Sequence, residues 1–143
     1  MTTASVIIDC AKKWLGTPYH HQGRVIGAGV DCATLLCEVY HDSGLIPYID
    51  PRPYAPDWHL HQSGERYLGW LEQYSTEVDS PSPGDVIAWR FGRCYSHAAI
   101  FIGGTTIIHS YIKQGCVYAD INDPVFDNRP LVIFSILGKR NGR

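Results

Sequence analysis

The chain has 143 residues, a formal net charge of -2 and 18% charged residues. This length suits one compact domain, so we expect residues 1–143 to form a single domain. The near-neutral charge and the scattered Lys and Arg side chains argue against a nucleic-acid partner, and the 45% hydrophobic content argues against a disordered chain.

The chain carries neither a membrane span nor a recognisable signal peptide. No stretch approaches the roughly 20 consecutive apolar residues that a membrane helix needs. The opening residues 1–4 have no basic region followed by a long apolar run. We therefore expect a protein made in the cytoplasm, with no membrane partner.

Two helices are predicted in the first third of the chain. Apolar residues recur at helical spacing over residues 4–15, and Gly16 ends that pattern. A glycine-rich loop follows over residues 16–30. A second helix then begins near Cys32, because Asp31 is a favoured helix N-cap, and ends near residues 43–44.

The remainder predicts an irregular segment, a third helix and then strands. Prolines make residues 47–64 irregular, and a helix follows over about 63–74. Strands are predicted at residues 86–90, 97–102, 105–110, 116–119 and 131–136, with a Gly103–Gly104 hairpin turn between the second and third. Helices followed by strands predict an α+β fold, in which N-terminal helices pack on an antiparallel sheet of about five strands.

Cys32 is the candidate nucleophile among five cysteines. The odd number and the missing secretory signal argue against a disulfide framework. A helix N-terminus favours the thiolate form of a cysteine, and the preceding glycine-rich loop would leave Cys32 accessible. The pattern makes Cys32 a candidate for a reactive thiol, although a lone cysteine at a helix start is more often a core residue than a catalyst.

Two histidines on the predicted hairpin suit the other roles of such a site. His97 and His109 lie at nearly equal distances from the Gly103–Gly104 turn, which predicts that they are close to opposite one another on one sheet face. A helix packed on that face would bring Cys32 to His97. His97 would then act as the base and His109 would orient its ring.

Other polar and aromatic residues leave alternatives open. Cys94, in a predicted loop, is a rival nucleophile without a helix terminus. His20 and His21 are expected to be exposed or capping rather than to bind metal, and His59 and His61 lack a completing cluster, so no metal or other cofactor is expected. Several aromatic residues could stack on a sugar, although packing roles are commoner for such side chains: Tyr48, Tyr54, Trp58, Trp70 and Trp89.

Several segments resemble the NlpC/P60 family of papain-like cysteine peptidases. They are Trp14-Leu15-Gly16-Thr17-Pro18-Tyr19, Gly29-Val30-Asp31-Cys32, Pro83-Gly84-Asp85-Val86-Ile87-Ala88-Trp89, Ser96-His97-Ala98-Ala99-Ile100-Phe101-Ile102-Gly103 and Ile107-Ile108-His109-Ser110. Their order and spacing agree with the family over about residues 6–136. Each segment alone is weakly specific, and together they are strongly specific.

The resemblance implies a papain-like fold and a Cys-His-His site. By this resemblance Cys32 is the nucleophile, His97 the base and His109 the orienting residue. Tyr19 is similar to a family tyrosine that lines the active site. Asp31 is similar to an aspartate that in some relatives helps to bind the substrate amine.

The implied substrate is the peptide stem of bacterial peptidoglycan. The family commonly hydrolyses the γ-D-glutamyl-diamino-acid bond of that stem. The loop at residues 20–24 resembles the phage-tail and prophage branch of the family, which implies tail-tip proteins as partners and a place in the virion tail. Alternatives are a structural tail-assembly component with little activity, and an amidase or acyltransferase of the same fold that acts on another substrate.

Three departures separate this chain from the family pattern. Ala33 and Thr34 follow the nucleophile where Ser-Gly is common, and Ala98 and Ala99 follow the base where Val-Gly is common. The proline-rich stretch at residues 47–56 has no counterpart. These differences leave the specificity for one amide bond undecided.

Overall fold

A computed structural model describes residues 2–50 and 66–136, and it does not describe the side chains of residues 66–68. It contains three helices, α1 (Thr3–Lys12), α2 (Cys32–Asp42) and α3 (Arg66–Tyr74), and a 3-10 helix at Pro124–Phe126. The strands are β1 (Arg24–Val25), β2 (Gly29–Val30), β3 (Thr76–Val78), β4 (Val86–Phe91), β5 (Cys94–Gly103), β6 (Thr106–Tyr111), β7 (Gly115–Asp120) and β8 (Leu131–Ser135).

The first two helices begin where their capping residues predict. Thr2 caps α1 and exchanges hydrogen bonds with Ser5, and Asp31 caps α2 and exchanges hydrogen bonds with Thr34. The prediction for α2 is confirmed in both bounds. Helix α1 ends at Lys12 rather than at residue 15, because the chain turns there and the Gly16 N–H bonds the carbonyl of Cys116 at 2.9 Å.

Six strands form one antiparallel sheet in the order β3-β8-β4-β5-β6-β7, and β1 and β2 form a separate two-stranded hairpin. The α+β fold with an antiparallel sheet is confirmed, although the sheet has six strands rather than about five. Strand β3 was not predicted, because its three residues, Thr76–Val78, carry too short an alternation to register as a strand.

Separate apolar cores cover the two faces of the sheet. Helices α1 and α2 pack on one face through Ile7, Leu35 and Val39, against Ala98 and Ile100 of β5. The other face carries a smaller core, whose members include Ile87, Trp89, Phe101, Ile107, Phe126 and Ile133. None of the described helices is long and apolar enough to cross a membrane.

A tight turn before β4 lies against the helix layer. Gly84 has a φ of +95°, and a Cβ atom there would lie 3.2 Å from the Ile7 side chain. The Tyr40 hydroxyl, buried on α2, donates to the Gly84 carbonyl at 2.8 Å. Together these contacts fix the helix layer against the start of β4.

Candidate active site

Cys32 is the first residue of α2, and its thiol reaches β5. Its Sγ lies 3.5 Å from the carbonyl oxygen of Ser96, the residue before His97. Ser110 on β6 donates from its hydroxyl to the Val30 carbonyl at 2.7 Å, two residues before the thiol. The N-terminal end of α2 is therefore attached to both β5 and β6.

The two histidines meet between the same two strands. The backbone pairing of β5 with β6 runs from Gly103–Thr106 to Ile100–Ile108. Past the last of these backbone pairs, the side chains of His97 and His109 link the two strands, with His97 Nε2 2.8 Å from His109 Nδ1. Since Ile100 pairs with Ile108, the histidines are diagonal neighbours on one face rather than directly opposite each other.

The histidine face of the sheet is opposite the helix layer. His97 of β5 is paired with Trp89 of β4, which belongs to the smaller core. The next residue, Ala98, packs with the helices on the other face. The expectation that α2 packs on the histidine face is therefore wrong. Trp89 pairs with His97 but the next residue, Arg90, pairs with Tyr95, so Ser96 is the extra residue of a β-bulge. The Cys32 thiol contacts β5 at this bulge, through the Ser96 carbonyl.

Aromatic rings enclose the histidine pair. Phe126 stacks on Trp89, with ring centroids 3.9 Å apart, and lies 6.0 Å from each histidine. Tyr111 stacks on His109 at 5.4 Å. As a result His97 is 7% exposed and His109 is 2% exposed.

The segment that carries Phe126 is fastened to the end of β4. Arg129 donates to the Val125 carbonyl at 2.8 Å and to the Arg90 carbonyl at 3.3 Å, and its guanidinium lies 3.7 Å above the Phe91 ring. Sequence reasoning missed this segment. The signal was Asp123-Pro124, since an Asp cap followed by Pro at the first helical position is typical of a helix start.

Burial keeps both histidines neutral at ordinary pH. It lowers the pKa of His97 to about 3, helped by the neighbouring His109 and Arg129. It lowers the pKa of His109 to about 4, opposed by the negative charge of Asp123. A neutral imidazole keeps a lone pair that can accept a proton, but a pKa of about 3 makes the buried His97 a weak base.

These pKa values predict a stability that depends on pH. Below about pH 6.5 the unfolded chain protonates both histidines, whereas the folded chain does not until about pH 4 or lower. The unfolded state thus binds more protons in that window, so the free energy of unfolding should rise with pH there. Each histidine should contribute about 1.4 kcal/mol per pH unit. Urea denaturation at several pH values in this window measures the slope of the unfolding free energy against pH. His109→Gln should lower that slope by the contribution of one histidine. Equal slopes for the two proteins would contradict the assignment.

Tyr19 and Asp31 both lie near the thiol. Tyr19 is half-buried, and burial, followed by the negative charges of Cys32 and Asp31, raises its pKa. Asp31 is 2% exposed, and its carboxylate accepts from the backbone N–H groups of Thr34 and Gln22. The structure thus brings both residues to the start of α2, and their roles in substrate binding stay predictions.

The loop histidines lie at the edge of this region. His20 is exposed, and its Nδ1 lies 3.0 Å from the His21 carbonyl. His21 Nδ1 is 3.9 Å from the Asp31 carboxylate. Among residues 2–50 and 66–136, no group of three or more His, Cys, Asp or Glu side chains is arranged to hold a metal ion. His59 and His61 lie outside the described residues.

The aromatic residues considered for sugar stacking are dispersed. Trp89 is buried beneath the histidines, and Trp70 is half-buried. Tyr48 is exposed, and the Arg24 guanidinium lies 4.6 Å above its ring. Tyr54 and Trp58 lie outside the described residues, as does most of the proline-rich stretch. A stacking surface built from this set therefore stays a prediction.

The other cysteines are poor rivals to Cys32. Cys94 lies in β5 rather than in a loop and is fully buried. Burial raises the pKa of Cys37 to about 11 and that of Cys116 to about 12, and Cys10 is buried in the helix-side core. Cys32 alone is partly exposed.

We therefore expect Cys32 to react first with an alkylating reagent. Iodoacetamide at near-neutral pH, followed by peptide mapping, should label Cys32 before the four buried cysteines, because only accessible thiolates react quickly. Labelling in denaturant serves as the control, since it should make all five cysteines available. Labelling of Cys94 first in the folded protein would contradict this expectation.

The same sequence pattern and fold occur in known proteins. The sequence pattern of the NlpC/P60 family matches residues 16–134, most of the chain. No protein with a curated description matches the chain in sequence. Among solved structures, the NlpC/p60 domain of the peptidoglycan hydrolase SagA has a TM-score of 0.59 at 20% identity, covering 91% of this chain and 97% of that one.

Two further structures show how the fold is used elsewhere. An NlpC/P60 family protein from Bacillus cereus has a TM-score of 0.64 at 24% identity over 90% of this chain, which spans 39% of that longer protein. RipD from Mycobacterium tuberculosis, described as a non-catalytic domain adapted to peptidoglycan binding, has a TM-score of 0.63 at 13% identity, covering 94% and 98% of the two chains. The sequence match over most of the chain, on an α+β fold shared with these domains, shows that this chain belongs to the NlpC/P60 family.

Proposed function

We propose that this chain is a cysteine peptidase that hydrolyses amide bonds in the peptide stem of bacterial peptidoglycan. The observation that carries the proposal is the position of Cys32, which begins α2 with its Sγ 3.5 Å from the carbonyl of Ser96, the residue before His97, and His97 Nε2 in turn lies 2.8 Å from His109 Nδ1. The family membership supports the substrate class, since SagA is a peptidoglycan hydrolase and RipD a peptidoglycan binder.

The hydrogen bond between the histidines limits which ring nitrogens carry a proton. At 2.8 Å, one of His97 Nε2 and His109 Nδ1 must carry the proton. If His97 Nε2 donates, its Nδ1 keeps a lone pair and can take the proton of Cys32. His109 then holds the His97 ring in the tautomer that a base requires.

The reaction then runs through an acyl-enzyme. The Cys32 proton passes to His97, and the thiolate attacks the amide carbonyl, whose oxyanion is stabilised by the Cys32 backbone N–H at the helix start. His97 next protonates the leaving amine as the C–N bond breaks, which leaves a thioester on Sγ. Water, activated by His97, hydrolyses the thioester and restores the thiol.

The finer parts of the proposal concern bond and location. We propose the γ-D-glutamyl-diamino-acid bond as the one cleaved, and a phage tail or prophage as the context in which the protein acts on the cell wall. The resemblance of residues 20–24 to that branch supports the context. Tail-tip proteins are the corresponding proposed partners.

Product analysis tests the activity and the bond together. Purified protein is incubated with muropeptides of defined structure, and the products are weighed by mass spectrometry. Cleavage between the γ-glutamyl and diamino-acid residues supports the proposal, and cleavage at another amide replaces the assigned bond. No cleavage by a folded protein that still sediments with insoluble peptidoglycan would favour a binding role like that described for RipD.

A further inference from the structure

A buried hydroxyl lies in the same helical turn as the candidate nucleophile. Thr34 is fully buried in the first turn of α2, two residues after Cys32. Its Oγ1 donates to the Gly23 carbonyl at 2.6 Å and accepts from the Asp31 backbone N–H at 3.0 Å. The hydroxyl therefore joins the turn before α2 to the loop that runs alongside it.

The same network closes through the Asp31 carboxylate. One carboxylate oxygen accepts from the Thr34 backbone N–H at 2.9 Å, and the other accepts from the Gln22 backbone N–H at 2.8 Å. The loop packs closely against β2 here, because a Cβ atom on Gly23 would lie 2.7 Å from the Gly29 carbonyl carbon. Residues 22–23, Asp31 and Thr34 thus form one connected unit on either side of Cys32 in sequence.

We propose that Thr34 is a positioning residue for the nucleophile. Its hydroxyl holds the Asp31 cap and the loop at residues 22–23 together, and so fixes the direction of the Cys32 side chain and of its backbone N–H. Without this hydroxyl the half-buried Gly23 carbonyl and the buried Asp31 N–H each lose a hydrogen-bond partner. Either the loop or the first turn of the helix must then move. The part that concerns the backbone N–H rests on the proposed function, whereas the part that concerns the thiol does not.

Three substitutions at Thr34 separate the hydroxyl from the shape of the side chain. Thr34→Ser keeps the hydroxyl, Thr34→Val keeps the shape, and Thr34→Ala removes both while leaving the N–H that Asp31 accepts. The rate of Cys32 alkylation by iodoacetamide, followed against pH, reports the position of the thiol without any substrate. We expect the alkylation rate of Thr34→Ser to stay within about twofold of the parent, and the rates of Thr34→Ala and Thr34→Val to fall by about tenfold or more, since small misplacements of reacting groups have large effects on rate.

The outcomes are distinguishable from those for the proposed function. Equal alkylation profiles in the parent, Ala and Val proteins would overturn the positioning role, even if both variants were less stable to heat. A muropeptide assay then separates kcat from KM, and we expect Thr34→Ala and Thr34→Val to lose kcat and Thr34→Ser to retain it. Should the parent hydrolyse no muropeptide, the alkylation series still decides the role of Thr34. Should Thr34→Val fail to fold, the comparison of Thr34→Ser with Thr34→Ala decides it.

Discussion

Cys32→Ala is expected to abolish hydrolysis of peptidoglycan stem peptides while leaving the fold intact. In the proposed reaction the thiol sulfur attacks the carbonyl and carries the acyl group, so no acyl-enzyme can form without it. Removing a catalytic nucleophile lowers turnover on the order of a thousandfold or more. Mass spectrometry of muropeptide digests, with matched protein concentrations, measures the loss.

The substitution is mild in structural terms, which makes it a clean test. Cys32 is half-buried and its Sγ contacts the Ser96 carbonyl, so alanine removes one atom and one weak hydrogen bond. A matched control is Cys37→Ala in the same helix, where the thiol is buried on the helix side of the sheet and should not affect turnover directly. Full activity of Cys32→Ala would exclude a nucleophilic role for this cysteine.

His97→Ala is expected to have the next largest effect. In the proposed reaction His97 takes the proton from Cys32 and returns it to the leaving amine, and general acid–base catalysis of this kind contributes about 10²–10⁴-fold. We expect kcat to fall by that factor, measured with a fluorogenic stem peptide. The alanine also loses the ring contacts of His97 with Phe126 and Tyr111, which can lower the stability of the fold. Thermal unfolding is therefore recorded in parallel, to separate a loss of stability from a loss of catalysis.

His109 provides the comparison for this result. His109→Gln retains an oxygen that can accept from His97 Nε2, whereas His109→Ala removes the acceptor. Turnover should therefore fall more in the Ala variant than in the Gln variant, and less in both than in His97→Ala. A larger loss on changing His109 than on changing His97 would reverse the two assigned roles.

Much of the fold could be predicted because its signals are local. Asp31 preceding an apolar run marked the start of α2, and Gly103 with Gly104 located the hairpin between β5 and β6. The turn itself falls at residues 104–105, with Gly103 as the last residue of β5. Equal spacing from that hairpin was enough to bring His97 near His109.

The parts that could not be predicted depend on contacts between distant segments. The bulge at Ser96 shifts the alternation of side chains between the two faces of β5, and no residue type in that strand predicts a bulge. Phe126 reaches the histidines only because Arg129 attaches its segment to β4. The hydrogen bond from Thr34 to Gly23 likewise joins residues 11 apart in sequence, through a loop without regular spacing.

One titration tests most directly that Cys32 attacks the amide. The protein is alkylated to increasing extents, peptide mapping gives the labelled fraction of Cys32, and each sample is assayed for muropeptide hydrolysis. The account predicts that the rate falls linearly with that fraction and reaches zero when Cys32 is fully labelled and the four buried cysteines are not. Hydrolysis that persists in protein fully labelled at Cys32, or its absence from folded unlabelled protein, would contradict the account.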